Sequence, residues 1–259
     1  MGEEQPRTQP IRIGIVGIAG RMGREIVALA TGDPEVTITG GTVRPGSDPT
    51  SGPGIPVYTD LSDLLPQIDV LIDFSTPESS VMAARAAAQA GTPIVIGTTG
   101  LSPAQMDDLR AAATRIPVYY ARNTAHGVNA LLRLLPQIAE VLAGYDIEII
   151  EAHHRHKKDA PSGTAIAIAE AIASGLGTGD QQAYVHGRSG YAPRQQGEIG
   201  IHAVRGGGNT GEHTIIFASD QEEIRVSHRA FNRSAFAAGA IRAARDLVGQ
   251  LAGWYGPTS

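Results

Sequence analysis

The chain contains no cysteine among its 259 residues. That excludes disulfides, thiolate catalysis and any metal site built on thiolates. Lysine is nearly absent as well. Of 21 Lys+Arg residues 19 are Arg, and the two lysines, Lys157 and Lys158, are adjacent. No segment approaches the roughly 18 apolar residues that a membrane span needs. Positive charge is not in excess: the net charge is -5, which argues against nucleic acid or an anionic membrane as the main partner. Residues 1–10 are polar, with Glu3, Glu4 and two prolines. They lack the basic start and apolar core of a signal peptide, so a flexible tail and a cytoplasmic protein are expected. There is no internal repeat and no low-complexity run.

What is present is an ordinary globular composition, 42% hydrophobic and 18% charged, in a chain long enough for two modest domains. Ile11-Arg-Ile-Gly-Ile-Val16 is a short apolar run rich in β-branched residues, the mark of a buried strand. It leads into a glycine-containing turn and a helix over 22–30. Further strands are expected at 36–43, 69–74, 93–96 and 117–121, with helices over 61–65, 77–90 and 103–113. This alternation predicts an α/β fold, a doubly wound parallel sheet with helices on both faces. After Asn123 the rhythm changes. A helix over 128–142, a strand at 146–152, a helix over 164–174 and a long loop at 175–197 come first. Strands at 198–205, 212–218 and 222–227 follow, joined by Gly-rich links. They predict an open antiparallel or mixed sheet in a second, α+β domain. An Ala-rich helix over 234–251 is expected to return to the first domain. The expected boundaries are a tail at 1–10, a first domain of 11–125 joined by 233–259, and a second domain of 126–232.

The densest chemistry lies at 151–164, Glu-Ala-His-His-Arg-His-Lys-Lys-Asp-Ala-Pro-Ser-Gly-Thr, which holds both lysines and three of the eight histidines. An ammonium can lose its proton when desolvated, whereas a guanidinium effectively cannot. Histidine titrates near neutrality. Ser162 is a good N-cap for the helix that follows, so the amides of Gly163 and Thr164 fall in a first turn, a ready anion site. The cluster suits binding an anion and moving a proton.

A second constellation is Gly17-Ile18-Ala19-Gly20-Arg21-Met22-Gly23, between a strand and a helix. It is a variant of the dinucleotide pattern G-x-G-x-x-G, with Ala at 19 and the last Gly one residue late. Small residues here let a pyrophosphate reach the helix amides, and Arg21 adds a cation. Strand two ends Val43-Arg44 with no acid to accept the ribose hydroxyls of NAD, and Arg44 would welcome a 2′-phosphate. NADPH is therefore the expected preference, with NADH possible. Gly97, Thr98 and Thr99 follow a strand at the carboxyl end of the sheet and offer backbone groups to a nicotinamide.

Five blocks in order resemble the 4-hydroxy-tetrahydrodipicolinate (dihydrodipicolinate) reductase family: G-R-M-G at 20–23, D-F-S at 73–75, G-T-T-G at 97–100, H-H-R-H-K-K-D-A-P-S-G-T at 153–164 and R-G-G-x-x-x-G-E-H at 205–213. The resemblance covers nearly the whole chain after residue 10. It implies a Rossmann-type dinucleotide-binding domain before a substrate-binding domain whose open sheet builds a homotetramer. It implies hydride transfer from NAD(P)H to C4 of a small cyclic dicarboxylate in the diaminopimelate route to lysine, then protonation of the ring. It implies His153 as proton donor or acceptor, Lys157 as proton donor, and His154, Gly163 and Thr164 as substrate carboxylate contacts. For the cofactor it implies residues 17–22, Arg44, 97–99 and the loop Ala121, Arg122, Asn123, Thr124. Lys158 and His156 have no such role. Many members keep an acid where Val43 stands and a Ser where this chain has Ala125.

Other readings remain open at this point. One is a Rossmann-fold reductase of another small carboxylated metabolite. Another is a non-catalytic nucleotide sensor. A metal hydrolase on the histidines is disfavoured, because His153 and His154, as strand neighbours, would point to opposite faces. No metal is expected.

Overall fold

A computed structural model describes residues 9–43 and 54–257. In chain order the elements are β1 (Ile11–Val16), α1 (Arg21–Ala30), β2 (Val36–Thr42), β3 (Val57–Tyr58), α2 (Leu61–Leu64), β4 (Val70–Asp73), α3 (Pro77–Ala90), β5 (Ile94–Ile96), α4 (Pro103–Ala113) and β6 (Pro117–Tyr120). Then come α5 (His126–Val141), β7 (Asp146–His153), α6 (Gly163–Gly175), β8 (Tyr184–His186), β9 (Ile199–Arg205), β10 (Glu212–Ala218) and β11 (Glu223–Arg229). The chain closes with α7 (Ser234–Leu247) and β12 (Gly253–Tyr255). Ala125–Ala235 forms one compact unit, and the chain up to Thr124 forms the other together with Phe236–Pro257.

The first unit is an α/β layer structure. Its seven strands run parallel in the order β12-β6-β5-β4-β1-β2-β3. Alternation along each strand sends side chains to two covered faces. Ile13, Ile15, Ile72 and Val95 pack with Ile26 of α1 and with Ala237, Ala240, Ile241 and Ala244 of α7. Leu71, Ile94, Ile96 and Val118 pack on the other face with Ala83, Ala84 and Ala87 of α3 and Leu109 of α4. The Ala-rich sequence of α3 and α7 thus brings each helix close to the sheet. Local signals fix the helix starts: Thr76 caps α3 ahead of Pro77, and Ser102 with Gln105 forms a capping box on α4.

The second unit carries a five-stranded mixed sheet, order β11-β10-β7-β9-β8. β10 lies antiparallel to β7 and β11, whereas β7, β9 and β8 are parallel. Ile147 and Ile149 of β7, Ile199 and Ile201 of β9, and Ile215 and Phe217 of β10 are buried on one face. On the other face Ile150 and Val204 remain exposed.

Three short elements depart from the sequence-based expectation. The stretch 175–197 is not all loop, because Tyr184–His186 forms the edge strand β8. The last helix stops at Leu247, and Gly253–Tyr255 adds an edge strand to β6. Val57–Tyr58 adds an edge strand beside β2. Each has two or three residues, too few for periodicity to show. The strand expected at 146–152 extends to His153, so His154 lies beyond its end. The opposite-face argument against joint metal binding therefore does not apply. Among the described residues no three His, Cys, Asp or Glu side chains cluster as metal ligands.

Helices α5 and α6 meet where a Cβ on Gly175 would stand 2.6 Å from Pro136 Cα. Gly175→Ala should therefore force the helices apart and cost roughly 1–3 kcal/mol, read as a lowered thermal midpoint and urea midpoint of the full chain.

Candidate active site

In the first unit the loops singled out from sequence all follow parallel strands at their carboxyl ends, the usual ligand edge of such a sheet. The turn after β1 is built for close approach. Gly17 has φ +79, and a Cβ on Gly23 would stand 2.6 Å from the Gly17 carbonyl oxygen. The amides of Gly17 and Ile18 donate to the Thr42 carbonyl at 3.0 and 3.1 Å. Helix α1 begins at Arg21, one residue earlier than the sequence suggests, and its N-cap, Gly20, makes no side-chain cap. Ile18 is buried, Ala19 and Met22 are half-buried, and Gly20 and Arg21 are exposed. Arg44 lies outside the described residues.

The next two strands are tied together by one buried acid. Asp73, at the end of β4, is fully buried. It accepts from the hydroxyls of Ser75 and Ser80 and from Thr98 Oγ1 at 2.8 Å. The Ser75 amide donates to Thr98 Oγ1 at 3.0 Å. Burial pushes the Asp73 carboxyl above its usual range, against the pull of the three hydroxyls. The Thr98 side chain thus serves the scaffold. Gly97 packs beside Phe74, whose ring a Cβ would strike, and Thr99 is exposed. After β6, Ala121 and Thr124 are buried, and Thr124 Oγ1 donates to the Phe236 carbonyl at 2.7 Å. Arg122 is exposed and Asn123 half-buried.

In the second unit, alternation along β7 places Glu151 and His153 on the buried face. Parallel pairing sets Arg205 of β9 opposite His153, and antiparallel pairing sets His213 of β10 opposite Glu151. His153 Nδ1 lies 2.6 Å from Glu151 Oε2. Arg205 grips both Glu151 oxygens at 2.7 and 2.6 Å, and the Ser162 amide donates to Oε1 at 3.0 Å. Burial raises the Glu151 carboxyl, but hydrogen bonds from His153, Arg205 and Ser162 outweigh it and hold the pKa at about 2. The His153 and His213 rings meet edge to face at 5.2 Å. Ser162 Oγ caps α6 by accepting from the Ala165 amide at 3.1 Å, and it lies 3.0 Å from His213 Nε2.

Lys157 is half-buried, its Nζ 2.9 Å from Asp159 Oδ1. Burial pushes the Asp159 carboxyl up, but the Lys157 hydrogen bond and charge bring it below its usual range. His154 is half-buried past the strand end. Its amide donates to the Asn209 carbonyl at 2.8 Å, and its Nδ1 accepts from the His156 amide at 3.2 Å. Burial, then the charge of Arg233, lowers its pKa. Gly163 opens α6, and Thr164 is buried in its first turn. Lys158 and His156 are exposed. His153, His154, Lys157, Gly163 and Thr164 thus lie along one strand end, one turn and one helix start. Glu151, Arg205 and His213 were not singled out as site residues from sequence. The spacing Glu151-x-His153 on a strand was the available signal, since it sets an acid and an imidazole on one face.

The family model described as dihydrodipicolinate reductase, N-terminus, matches residues 11–124, and the one described as its C-terminus matches 127–258. The chain belongs to the dihydrodipicolinate reductase family. Among its relatives, the 4-hydroxy-tetrahydrodipicolinate reductase of Granulibacter bethesdensis is 46% identical over 95% of this chain and 94% of its own length. The reductase of the same name from Rubrobacter xylanophilus is 46% identical over 95% of this chain and 96% of its own. A solved dipicolinate-bound dihydrodipicolinate reductase from Paenisporosarcina sp. TG-14 superposes with a TM-score of 0.76 at 25% identity, covering 95% of this chain and 97% of that one. The Glu151–His153–Arg205–His213 cluster is therefore a feature of a dihydrodipicolinate reductase family member.

His213 supplies a pH test of this cluster. Burial, then the charge of His153, lowers its pKa from 6.5 to about 3. The folded protein keeps His213 neutral where an unfolded chain would protonate it. Its contribution is thus full above pH 6.5 and declines towards pH 3, by up to about 1.4 kcal/mol per pH unit. Urea midpoints at pH 7, 6 and 5 should fall in the wild type and fall less steeply in His213→Gln.

Proposed function

We propose that this chain, an oxidoreductase by family, reduces 4-hydroxy-tetrahydrodipicolinate to tetrahydrodipicolinate with NAD(P)H and loss of the ring hydroxyl as water, in the diaminopimelate route to lysine. The observation that carries this reading is the placement of His153, His154 and Lys157 at the end of β7 and in the turn that leads to α6, where Gly163 and Thr164 lie in the first helical turn and Glu151 joins His153 to the Ser162 amide. Cations and helix-terminus amides suit a doubly anionic ring.

The turn after β1 fits a dinucleotide: no side chain caps α1, and Gly23 stands where a Cβ would meet the Gly17 carbonyl. Residues 17–22, 97–99 and 121–124 would hold it, with Arg44 on the 2′-phosphate. When bound, it supplies a hydride to ring C4. The rest falls to the protein. His154, Gly163 and Thr164 hold a substrate carboxylate. Lys157, steered by Asp159, and His153 stand as the acids that protonate the adjacent ring carbon. The relative from Paenisporosarcina was solved with dipicolinate, a planar dicarboxylate of the same class. The exposed outer face of the five-stranded sheet, with Ile150 and Val204, supports assembly into a homotetramer. Cytoplasmic placement accords with the absence, among the described residues, of any helix long and apolar enough to cross a membrane.

Coupling the chain to a synthase that makes the unstable ring compound, and following absorbance at the reduced-nicotinamide band, tests the reaction. Oxidation of NADPH that depends on the ring compound is expected. Lys157→Ala and Lys157→Arg should both lower kcat, by about 10²–10⁴-fold, because the guanidinium keeps charge without an easily lost proton. Full activity of Lys157→Arg would remove the proton-donor role and leave anion binding. The same assay should give a higher kcat/KM with NADPH than with NADH, and Arg44→Ala should narrow the gap. A wild-type preference for NADH would refute the Arg44 reading. In sedimentation the wild type should run as a tetramer and Val204→Arg as smaller species.

A further inference from the structure

We infer that Glu151, held by Arg205, is a positioning residue that fixes the proton of His153 on Nδ1, so that Nε2 is the nitrogen that exchanges a proton with substrate. The inference rests on the reading of His153 as a proton-transferring group.

Glu151 has no exposed surface. A bare carboxylate there would be costly, so its partners must be both close and complete. Each oxygen has two. Oε2 receives His153 Nδ1 at 2.6 Å and Arg205 Nη1 at 2.7 Å. Oε1 receives Arg205 Nη2 at 2.6 Å and the Ser162 amide at 3.0 Å. An ionised carboxylate only accepts hydrogen bonds. The hydrogen between Oε2 and Nδ1 therefore belongs to the imidazole. This leaves Nε2 with the lone pair in the neutral ring and with the transferable proton in the charged one.

The surroundings keep Nε2 available. A Cβ on Gly211 would stand 3.1 Å from it, and Gly211 has none. The planar fork of Arg205 sets the carboxylate plane, and that plane sets the ring orientation. Arg205 Nη2 also donates to the Asp159 carbonyl at 2.7 Å, in the residue that pairs with Lys157. The same guanidinium thus steadies the supports of both proposed acids. A merely structural role, Glu151 neutralising Arg205, leaves the tautomer of His153 to chance.

The test uses the full chain with NADPH and the ring substrate. Glu151→Gln keeps the size of the side chain but places an NH₂ where two N–H groups already point. Its kcat should fall by about 10²–10⁴-fold with little change in substrate KM. The ¹⁵N resonances of His153 should move from the Nδ1–H form to the Nε2–H form. The loss should not multiply with that of His153→Ala, because both act through one ring. Wild-type kcat, an unchanged tautomer or fully multiplicative losses in Glu151→Gln would overturn the positioning role. Should Glu151→Gln not fold, Arg205→Lys keeps the cation and loses the fork. It should lower kcat in the same way, and full kcat with the wild-type tautomer would overturn the role. An active His153→Ala would overturn the reading of His153 itself. An inactive His153→Ala beside a fully active Glu151→Gln would overturn only the inference.

Discussion

A carboxylate sealed inside the second unit is the constraint on which its proposed active site depends. Glu151 is charged because four donors surround it, and those donors come from three places: β7 itself, β9, and the turn that starts α6. Removing any one leaves a buried ion underserved. The strand end that carries His153, the strand end that carries Arg205 and the cap of α6 are thereby fixed to a common point. His213 of β10, 3.0 Å from Ser162 Oγ, closes the same arrangement from a third strand. A site that must hold an imidazole in one orientation gains that from the saturation of a single acid.

The first unit uses a buried acid differently. Asp73 is met by the hydroxyls of Ser75, Ser80 and Thr98, and burial draws it towards its neutral form. It joins the end of β4, the start of α3 and the loop after β5. The result is a shaped backbone at the sheet edge rather than an oriented titrating group. That suits a surface proposed to recognise a dinucleotide largely through amides and small residues.

Much of this was legible in the sequence. Apolar β-branched runs separated by Ala-rich helical stretches gave the parallel sheet, because buried strands and covering helices leave strong patterns. The Ser162 cap made the start of α6 readable within a residue, and the helices expected over 77–90 and 103–113 begin where the sequence placed them. The segment 151–164 was legible because its lysines and histidines are rare elsewhere. Glu151, Arg205 and His213 were not singled out, since their meaning arises from strand register: three residues far apart in sequence become neighbours only when β7, β9 and β10 pair. The edge strands β3, β8 and β12 escaped because two or three residues carry no period. Thr98 is expected to offer its backbone to a ligand, and that its hydroxyl meanwhile turns inward to Asp73 is a direction that sequence position alone does not disclose.

The return of α7 and β12 to the parallel sheet has a consequence for biosynthesis. Ala237, Ala240, Ile241 and Ala244 complete one covered face of a sheet whose strands β1 and β2 are made about two hundred residues earlier. On the ribosome the nascent amino-terminal unit waits with that face open, while the intervening unit, an uninterrupted stretch of polypeptide, can finish first. Pairing over so great a separation is slow to nucleate, which gives holdase chaperones a defined apolar surface to shield until the final turns emerge from the exit tunnel.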